Sequence, residues 1–159
     1  MVKKCEKNCE TVWKEKKLAS DNYMELEFDA IPENESFARV AVGAFIAQLD
    51  PIIEEISDIK TAVSEAVTNC IVHAYKEESG DIYISVKILS DNRVIIKIRD
   101  KGCGIPDIEK AMEPLFTTGG SERAGLGFAV MQSFTDKIRV TSQVGKGTTV
   151  TFYKQINSR

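Results

Sequence analysis

Glu65 and Asn69 are the residues whose types and spacing most directly suggest chemistry. They stand four residues apart in a helical hydrophobic pattern, so they project from one face of a helix. That face also carries Val72 and lies near two threonines, a composition that favours a partly enclosed surface. A carboxylate there is costly unless it meets a cation, a hydrogen-bond donor or a reacting proton. Either Glu65 serves a ligand, or the pair is solvated beside a core stripe, and this helix alone leaves both interpretations open. The core side is predicted to hold Ile56, Val63, Val67, Cys70 and Ala74.

A glycine turn follows a predicted strand and reads Asp100-Lys101-Gly102-Cys103-Gly104. A carboxylate at the end of a strand can accept a hydrogen bond from an exocyclic amine. The two glycines of the turn, Gly102 and Gly104, allow a backbone path that a Cβ atom would block. Turns containing Asp and Gly are also common structural features, so the segment by itself supports either a binding or a structural interpretation.

Two further segments could contact a ligand. Gly125 and Gly127 open a predicted helix, where bare N–H groups and the helix dipole favour an anion, and Arg123 could add a charge-assisted contact. Thr148 begins the last predicted strand, where its hydroxyl could reach a ligand beside Asp100. The alternatives are a mobile loop with a helix cap, and threonines that simply favour a strand. Neither the phosphate-binding lysine loop nor the dinucleotide fingerprint is present in the sequence.

Hydrophobic periodicity places these residues on an α+β fold. The order strand, two helices, hairpin, helix, hairpin predicts a two-layer sandwich with a mostly antiparallel sheet and helices on one face. Residues 1–22, rich in Lys and Glu, are interpreted as an extension outside the fold, and residues 23–156 as the folded domain. The predicted strands are 23–28, 81–89, 93–99, 137–141 and 148–153, and the predicted helices are 34–49, 53–76, 107–112 and 125–134.

The composition is that of one ordinary soluble domain, with 159 residues, 43% hydrophobic and 28% charged. A net charge of −3 gives no indication of binding to nucleic acid or to an anionic membrane. No apolar run approaches the roughly 20 residues that cross a bilayer. The N-terminus also lacks the apolar core of a secretion signal, so a cytoplasmic location is expected. The four cysteines form no disulfide framework, and reduced thiols are expected.

The four elements together resemble the GHKL ATP-binding domain shared by gyrase, ninety-kilodalton heat-shock chaperones, histidine kinases and mismatch-repair ATPases. They are Glu and Asn on a helix, Asp-x-Gly-x-Gly, a lid ending in Gly-x-Gly, and Gly-Thr before the final strand, and they fall within residues 24–153. Within that superfamily, residues 34–39, 64–69 and 114–118 look very like the sporulation anti-sigma-F factors of endospore-forming bacteria, which are serine kinases. The segment before Tyr23 is longer than this resemblance leads us to expect.

The resemblance implies roles for individual residues. Asn69 would hold Mg²⁺ through its side-chain oxygen, with the ion bridging the phosphates of ATP. Glu65 would take the proton from an attacking hydroxyl. Asp100, helped by Thr148, would read the adenine amine. On the first helix Arg39 would contact protein partners, although a solvated charge is the simpler alternative. The other nucleotide-binding positions implied are Gly102, Gly104, Thr117, Thr118, Arg123, Gly125 and Gly127, with 114–124 as a lid.

The function implied is an anti-sigma factor that inhibits a sporulation sigma factor of RNA polymerase. With Mg-ATP it would phosphorylate a serine of its anti-anti-sigma antagonist protein, and the resemblance suggests a homodimer. A general-stress anti-sigma kinase of the same fold, a non-catalytic ATP-dependent binding module and simple ATP hydrolysis are the alternatives. Glu65 argues against the binding module, because a non-catalytic site has no need of a base. Neither nucleic acid nor a membrane is expected as a direct partner.

Overall fold

The computed structural model describes residues 3–6, 22–76, 78–113 and 126–157. Across these residues the strands are β1 (Lys3–Glu6), β2 (Asn22–Asp29), β3 (Asp81–Ile88), β4 (Arg93–Asp100), β5 (Lys137–Gln143) and β6 (Gly147–Gln155). The α-helices are α1 (Glu33–Ile46), α2 (Ile53–Asn69), α3 (Ile108–Ala111) and α4 (Gly127–Phe134). A 3₁₀ turn, Ala47–Leu49, follows α1, and a π-helical turn, Cys70–Ala74, follows α2.

The described strands form one antiparallel sheet in the order β1-β5-β6-β4-β3-β2. Apolar side chains alternate along the strands, so one face of the sheet is buried and the other is polar. The register aligns Ile96 with Phe152 and Phe152 with Ile138, which puts side chains of three strands in one layer of the core. The buried face of the sheet is thus a continuous apolar surface against which the helices pack.

Helix α2 lies at the centre of the helical layer and packs against α1 on one side and α4 on the other. Apolar residues recur along it at three- and four-residue intervals, so burial against the sheet holds this helix in place. Its buried residues are Glu55, Ile59, Ala62, Val63, Ala66 and Val67. The remaining side of α2, which carries Glu65 and Asn69, is therefore available to face α4.

The predicted α+β class with a mostly antiparallel sheet and helices on one face is confirmed. The second helix differs from its prediction of 53–76, because its α-helical part ends at Asn69 and a π-helical turn continues it. The structure also differs from the interpretation of residues 1–22 as an appendage. Lys3–Glu6 pairs with Arg139–Ser142 as an edge strand, and Asn22 begins β2. Backbone pairing at a free sheet edge requires no apolar pattern, so periodicity did not reveal it.

Candidate functional site

Glu65 and Asn69 project from α2 towards the first residue of α4, Gly127. A Cβ atom added at Gly127 would lie 3.3 Å from Glu65 Oε2 and 3.4 Å from both Oδ1 and Nδ2 of Asn69. Both side chains are partly buried, as the composition of this helix face predicted. The structure therefore places the carboxylate and the carboxamide beside each other at the N-terminus of α4.

The beginning of α4 supplies hydrogen-bond donors to this place. Val130 N donates to the Leu126 carbonyl at 2.8 Å, and the N–H groups of the preceding turn have no acceptor within the helix. The positive end of the helix dipole also lies here, and it favours negative charge, either that of Glu65 or that of an incoming anion. Because Gly127 has no side chain, the backbone of α4 comes close to α2.

Asp100 ends β4 on the buried face of the sheet and is 4% exposed. Its Oδ1 accepts hydrogen bonds from the backbone N–H groups of Gly102 at 2.9 Å and Thr148 at 3.2 Å. Burial raises the pKa of this carboxyl group, and those two donors oppose the rise. The two backbone bonds fix the position of Oδ1 and leave Oδ2 on the other side of the carboxylate.

Cys70, the first residue of the π-helical turn, contacts that second oxygen. Its Sγ lies 3.7 Å from Asp100 Oδ2, and the residue is 5% exposed. Burial, together with the nearby charge of Asp100, raises the pKa of the Cys70 thiol well above its usual value, so the thiol stays protonated and acts as the donor. Sequence analysis placed Cys70 in the core stripe and did not associate it with Asp100.

Thr148 lies beside Asp100 at the beginning of β6, and its side chain is buried. Its Oγ1 is 2.9 Å from the hydroxyl of Ser142, a buried residue of β5 that also accepts a hydrogen bond from Ile105 N at 2.7 Å. Sequence analysis missed Ser142. The signal was present, because an alternating strand pattern puts this serine on the inward face among apolar residues.

The glycine turn after β4 rests on the π-helical turn. Cys103 N donates to the Ala74 carbonyl at 2.9 Å, and Gly102 packs against that same carbonyl group. Gly104 has a φ of +74°, a left-handed conformation that side-chain-bearing residues rarely adopt. Tyr75 adds a clamp, since its hydroxyl donates to the Asp81 carbonyl at 2.6 Å and accepts from Lys101 N at 2.8 Å. Neither the π-helical turn nor the Tyr75 clamp was predicted from the sequence.

Arg39 lies on α1, apart from the groups that surround Asp100, and its side chain is 45% exposed. Its Nε is 3.3 Å from Glu35 Oε1. The same Glu35 oxygen accepts a hydrogen bond of 2.5 Å from the hydroxyl of Ser64, the residue before Glu65. A partly exposed ion pair on α1 is thus joined to the helix that carries the candidate base.

Several predicted site residues lie outside the described residues. These are Thr117, Thr118, Arg123 and Gly125, together with the proposed lid 114–124. Of the predicted residues that are described, Glu65, Asn69 and Gly127 lie together at the α2–α4 contact. A second group, formed by Asp100, Gly102, Gly104 and Thr148, lies at the end of the π-helical turn that follows Asn69.

Among the described residues no cluster of three or more His, Cys, Asp or Glu side chains could hold a metal ion. This donor set does not suit a metal held by protein ligands alone. It does fit magnesium, which commonly takes one or two protein oxygens and completes its shell with phosphates and water. Asn69 offers one such oxygen. In the same part of the chain no helix has the length and apolarity needed to span a membrane.

Comparison with known proteins agrees with this architecture. Residues 54–158 match the family described as histidine kinase-, DNA gyrase B-, and HSP90-like ATPase. An anti-sigma F factor from Caldanaerobacter subterraneus subsp. tengcongensis is 60% identical over 137 residues, which is 86% of this chain and 95% of that protein. The chain belongs to the anti-sigma F factor family. An anti-sigma F factor from Geobacillus kaustophilus is 55% identical over 137 residues, covering 85% of this chain and 93% of its own length.

A solved structure confirms the fold of this anti-sigma F family member. The RsbU and RsbW domains of Rv1364c from Mycobacterium tuberculosis align with a TM-score of 0.64 over 87% of this chain and 34% of that one, at 21% identity. The resemblance to GHKL ATPases and to anti-sigma F factors is therefore confirmed, and family membership implies a site for ATP. The roles assigned to single residues stay predictions.

Proposed function

We propose that the chain is a cytoplasmic anti-sigma factor that binds and inhibits a sporulation sigma factor. With Mg-ATP it phosphorylates a serine of its antagonist protein. The observation that carries the proposal is the approach of Gly127 to Glu65 and Asn69, which puts an anion-binding helix N-terminus beside a candidate base and a candidate magnesium ligand. The names of the anti-sigma F relatives support the sigma-binding part.

Adenine binds at Asp100 in this proposal. The carboxylate is held by two backbone donors on Oδ1, so Oδ2 is oriented to accept the 6-amino group of the base. Burial of Asp100 strengthens its hydrogen bond to the base, because a charge-assisted hydrogen bond away from water is screened less. Thr148 and Ser142 complete the polar side of this pocket with two hydroxyl groups.

The phosphates bind at the first turn of α4. When bound, a magnesium ion would neutralise charge that develops on the transferred phosphoryl group. Asn69 would hold that ion through its side-chain oxygen. Glu65, one turn earlier on α2, accepts the proton of the attacking serine hydroxyl as the new oxygen–phosphorus bond forms and the bond to ADP breaks. The proximity of Glu65 to the N-terminus of α4 supports this role, because the phosphates would bind there.

The direct test is intact-mass analysis of the antagonist protein after incubation with the chain and Mg-ATP. The wild-type chain should add a single phosphoryl group on serine, and Glu65→Gln should abolish transfer while ATP still binds. Glu54→Gln is the matched control, because Glu54 lies exposed in the first turn of the same helix. Full transfer by Glu65→Gln would contradict the assignment of the base. Phosphate release without an antagonist adduct would indicate simple hydrolysis.

Asn69 is tested separately from Glu65. Asn69→Ala should weaken ATP binding in the presence of Mg²⁺ and leave binding in the presence of EDTA nearly unchanged, since the side-chain oxygen acts through the ion. The comparison is made by calorimetric titration at two magnesium concentrations. An unchanged magnesium requirement in the variant would contradict the ligand role.

Arg39 is proposed as a contact for protein partners. Its exposure on α1 and its ion pair with Glu35 leave the guanidinium at the surface in a defined orientation. Arg39→Ala should weaken capture of the sigma factor and leave ATP affinity unchanged. Lys146→Ala, in the exposed turn between β5 and β6, is the control for loss of a surface cation. Equal sigma binding by wild type and Arg39→Ala would refute the contact.

We also propose a homodimer that uses β2 and α1. The outer edge of β2 pairs with no other strand in the described part of the chain. Beside it, Phe37 is 50% exposed and Val40 is 56% exposed on α1, which leaves apolar surface next to unpaired backbone groups. Val40→Glu should convert a dimer to a monomer in light scattering. Exposed Glu54, changed to Lys, provides a control on another helix.

A further inference from the structure

We propose that Cys70 is a positioning residue for nucleotide recognition. Its thiol holds Asp100 Oδ2 in the orientation that selects a base bearing a 6-amino group. This inference rests on the proposed function, because it assumes that Asp100 reads adenine. The observation behind it is the 3.7 Å contact between Cys70 Sγ and Asp100 Oδ2 in the buried end of the site.

The three contacts of Asp100 divide unequally between its two oxygens. Oδ1 accepts from Gly102 N at 2.9 Å and from Thr148 N at 3.2 Å. Oδ2 accepts from the Cys70 thiol. The carboxylate is planar, so rotation about its Cβ–Cγ bond would move both oxygens, and the thiol opposes that rotation at Oδ2 as the backbone bonds oppose it at Oδ1. The thiol is therefore the contact made directly to the oxygen that faces the base.

The segment that carries Cys70 is held in a fixed position relative to Asp100. Cys70 begins the π-helical turn, where Tyr75 N donates to the Cys70 carbonyl at 3.3 Å. That turn is fixed to the glycine loop after Asp100 through the hydrogen bond from Cys103 N to the Ala74 carbonyl. The thiol and the carboxylate are thus carried by two segments that are bonded to each other. A cysteine that only filled space would not need to meet a carboxylate.

The strength of the effect follows from the weakness of the donor. A thiol is a weak hydrogen-bond donor. Loss of such a contact should change nucleotide preference by about 2- to 10-fold. The change should fall on the ratio of affinities for ATP and inosine triphosphate, which has a carbonyl where ATP has the amine. Affinity arising from the phosphates should stay the same, because Cys70 contacts the base end of the site.

Calorimetric titration of both nucleotides tests this with four variants. Cys70→Val and Cys70→Ala remove the donor with larger and smaller side chains, and both should lower the preference for ATP by about 2- to 10-fold. Cys70→Ser retains a donor and should stay close to wild type. Cys103→Ala removes an exposed thiol whose Sγ contacts the His73 carbonyl at 3.3 Å, and it should change nothing.

The outcomes separate this inference from the proposed function. An unchanged ATP preference in Cys70→Val and Cys70→Ala, with wild type discriminating normally, would overturn the role of Cys70 alone. An equal loss for both nucleotides in all three Cys70 variants would also overturn it, because it would indicate packing. Wild-type protein that binds neither nucleotide would overturn the inference and the ATP site together.

A spectroscopic measurement covers the case in which a Cys70 variant fails to fold. Replacing Cys5, Cys9 and Cys103 with serine leaves Cys70 as the single thiol. Its infrared S–H stretching band should show a hydrogen-bonded frequency and should shift when Asp100→Asn is introduced. ATP should also shift the band, because its amine would bind the same oxygen. A band insensitive to both would overturn the proposal.

Discussion

Replacing Asp100 with Asn should reverse the base preference of the site without damaging the fold. In the variant the amide oxygen takes the place of Oδ1, because it alone can accept from the N–H groups of Gly102 and Thr148. The amide nitrogen then lies where Oδ2 lies in the wild type. A donor replaces an acceptor at the position proposed to face the base.

The size of the effect follows from the kinds of hydrogen bond exchanged. Loss of a charge-assisted bond costs about 1.5–3 kcal/mol, which corresponds to about 10- to 150-fold weaker ATP binding. Inosine triphosphate should gain, because the new N–H group can donate to its carbonyl. A neutral bond is worth about 0.5–1.5 kcal/mol, or about 2- to 12-fold. The ratio of affinities should therefore change by about 20-fold to about 10³-fold.

The assay is calorimetric titration of Asp100→Asn with ATP and with inosine triphosphate, alongside chemical unfolding without nucleotide. Asp81→Asn is the matched control, because Asp81 begins the neighbouring strand β3, next to the residue that pairs with Asp100, and contributes no carboxylate to the site. Its affinities should equal those of the wild type. Unchanged ATP affinity in Asp100→Asn would refute adenine reading by this residue. Loss of the folded state without nucleotide would refute the expectation that the amide oxygen keeps the two backbone hydrogen bonds from Gly102 and Thr148.

Three further predictions concern stability. Glu55→Ala should lower the free energy of unfolding by about 1–3 kcal/mol, measured in urea, because the buried carboxylate accepts a hydrogen bond from Asn157 N at 2.9 Å. Glu55→Gln is the control and should lose less, because its amide retains one oxygen acceptor. Gly147→Ala should lower the melting temperature far more than Gly145→Ala. Both have positive φ, +104° and +76°, but an added Cβ would strike the Asp100 carbonyl at Gly147 and meet nothing within 4 Å at Gly145. Because the pKa of Asp100 is raised, its contribution to stability is present below the unfolded value of 3.8 and is lost as pH rises through the folded pKa. Urea titrations across acidic pH should show this loss in wild type and not in Asp100→Asn, and identical profiles would contradict the burial argument.

Periodicity was sufficient to predict the helix face that carries Glu65 and Asn69, because a buried helix repeats its apolar residues at intervals set by its geometry. The core stripe through Val63 and Val67 is buried, and the opposite side meets α4. The alternating strands were predicted for the same reason. The pairing of Gly127 with this face was not derivable from spacing, since it depends on how two helices pack.

Other features of the site had no local signal. The contact between Cys70 and Asp100 joins residues 30 positions apart, and cysteine in an apolar stripe predicts only burial. The π-helical turn was predicted as α-helix, because its composition does not distinguish the two. Ser142 was detectable as a polar residue at an inward position of a strand, but its bond to Thr148 depends on the register of β5 against β6.

The π-helical turn makes chain length critical at one place in the molecule. A π-helical turn closes on a bond from residue i+5, as Tyr75 N does to the Cys70 carbonyl, and so holds one residue more than an α-helical turn. Deleting a residue there would restore regular helix and rotate the Ala74 carbonyl away from Cys103. Among natural relatives, insertions and deletions should therefore be excluded from residues 70–74.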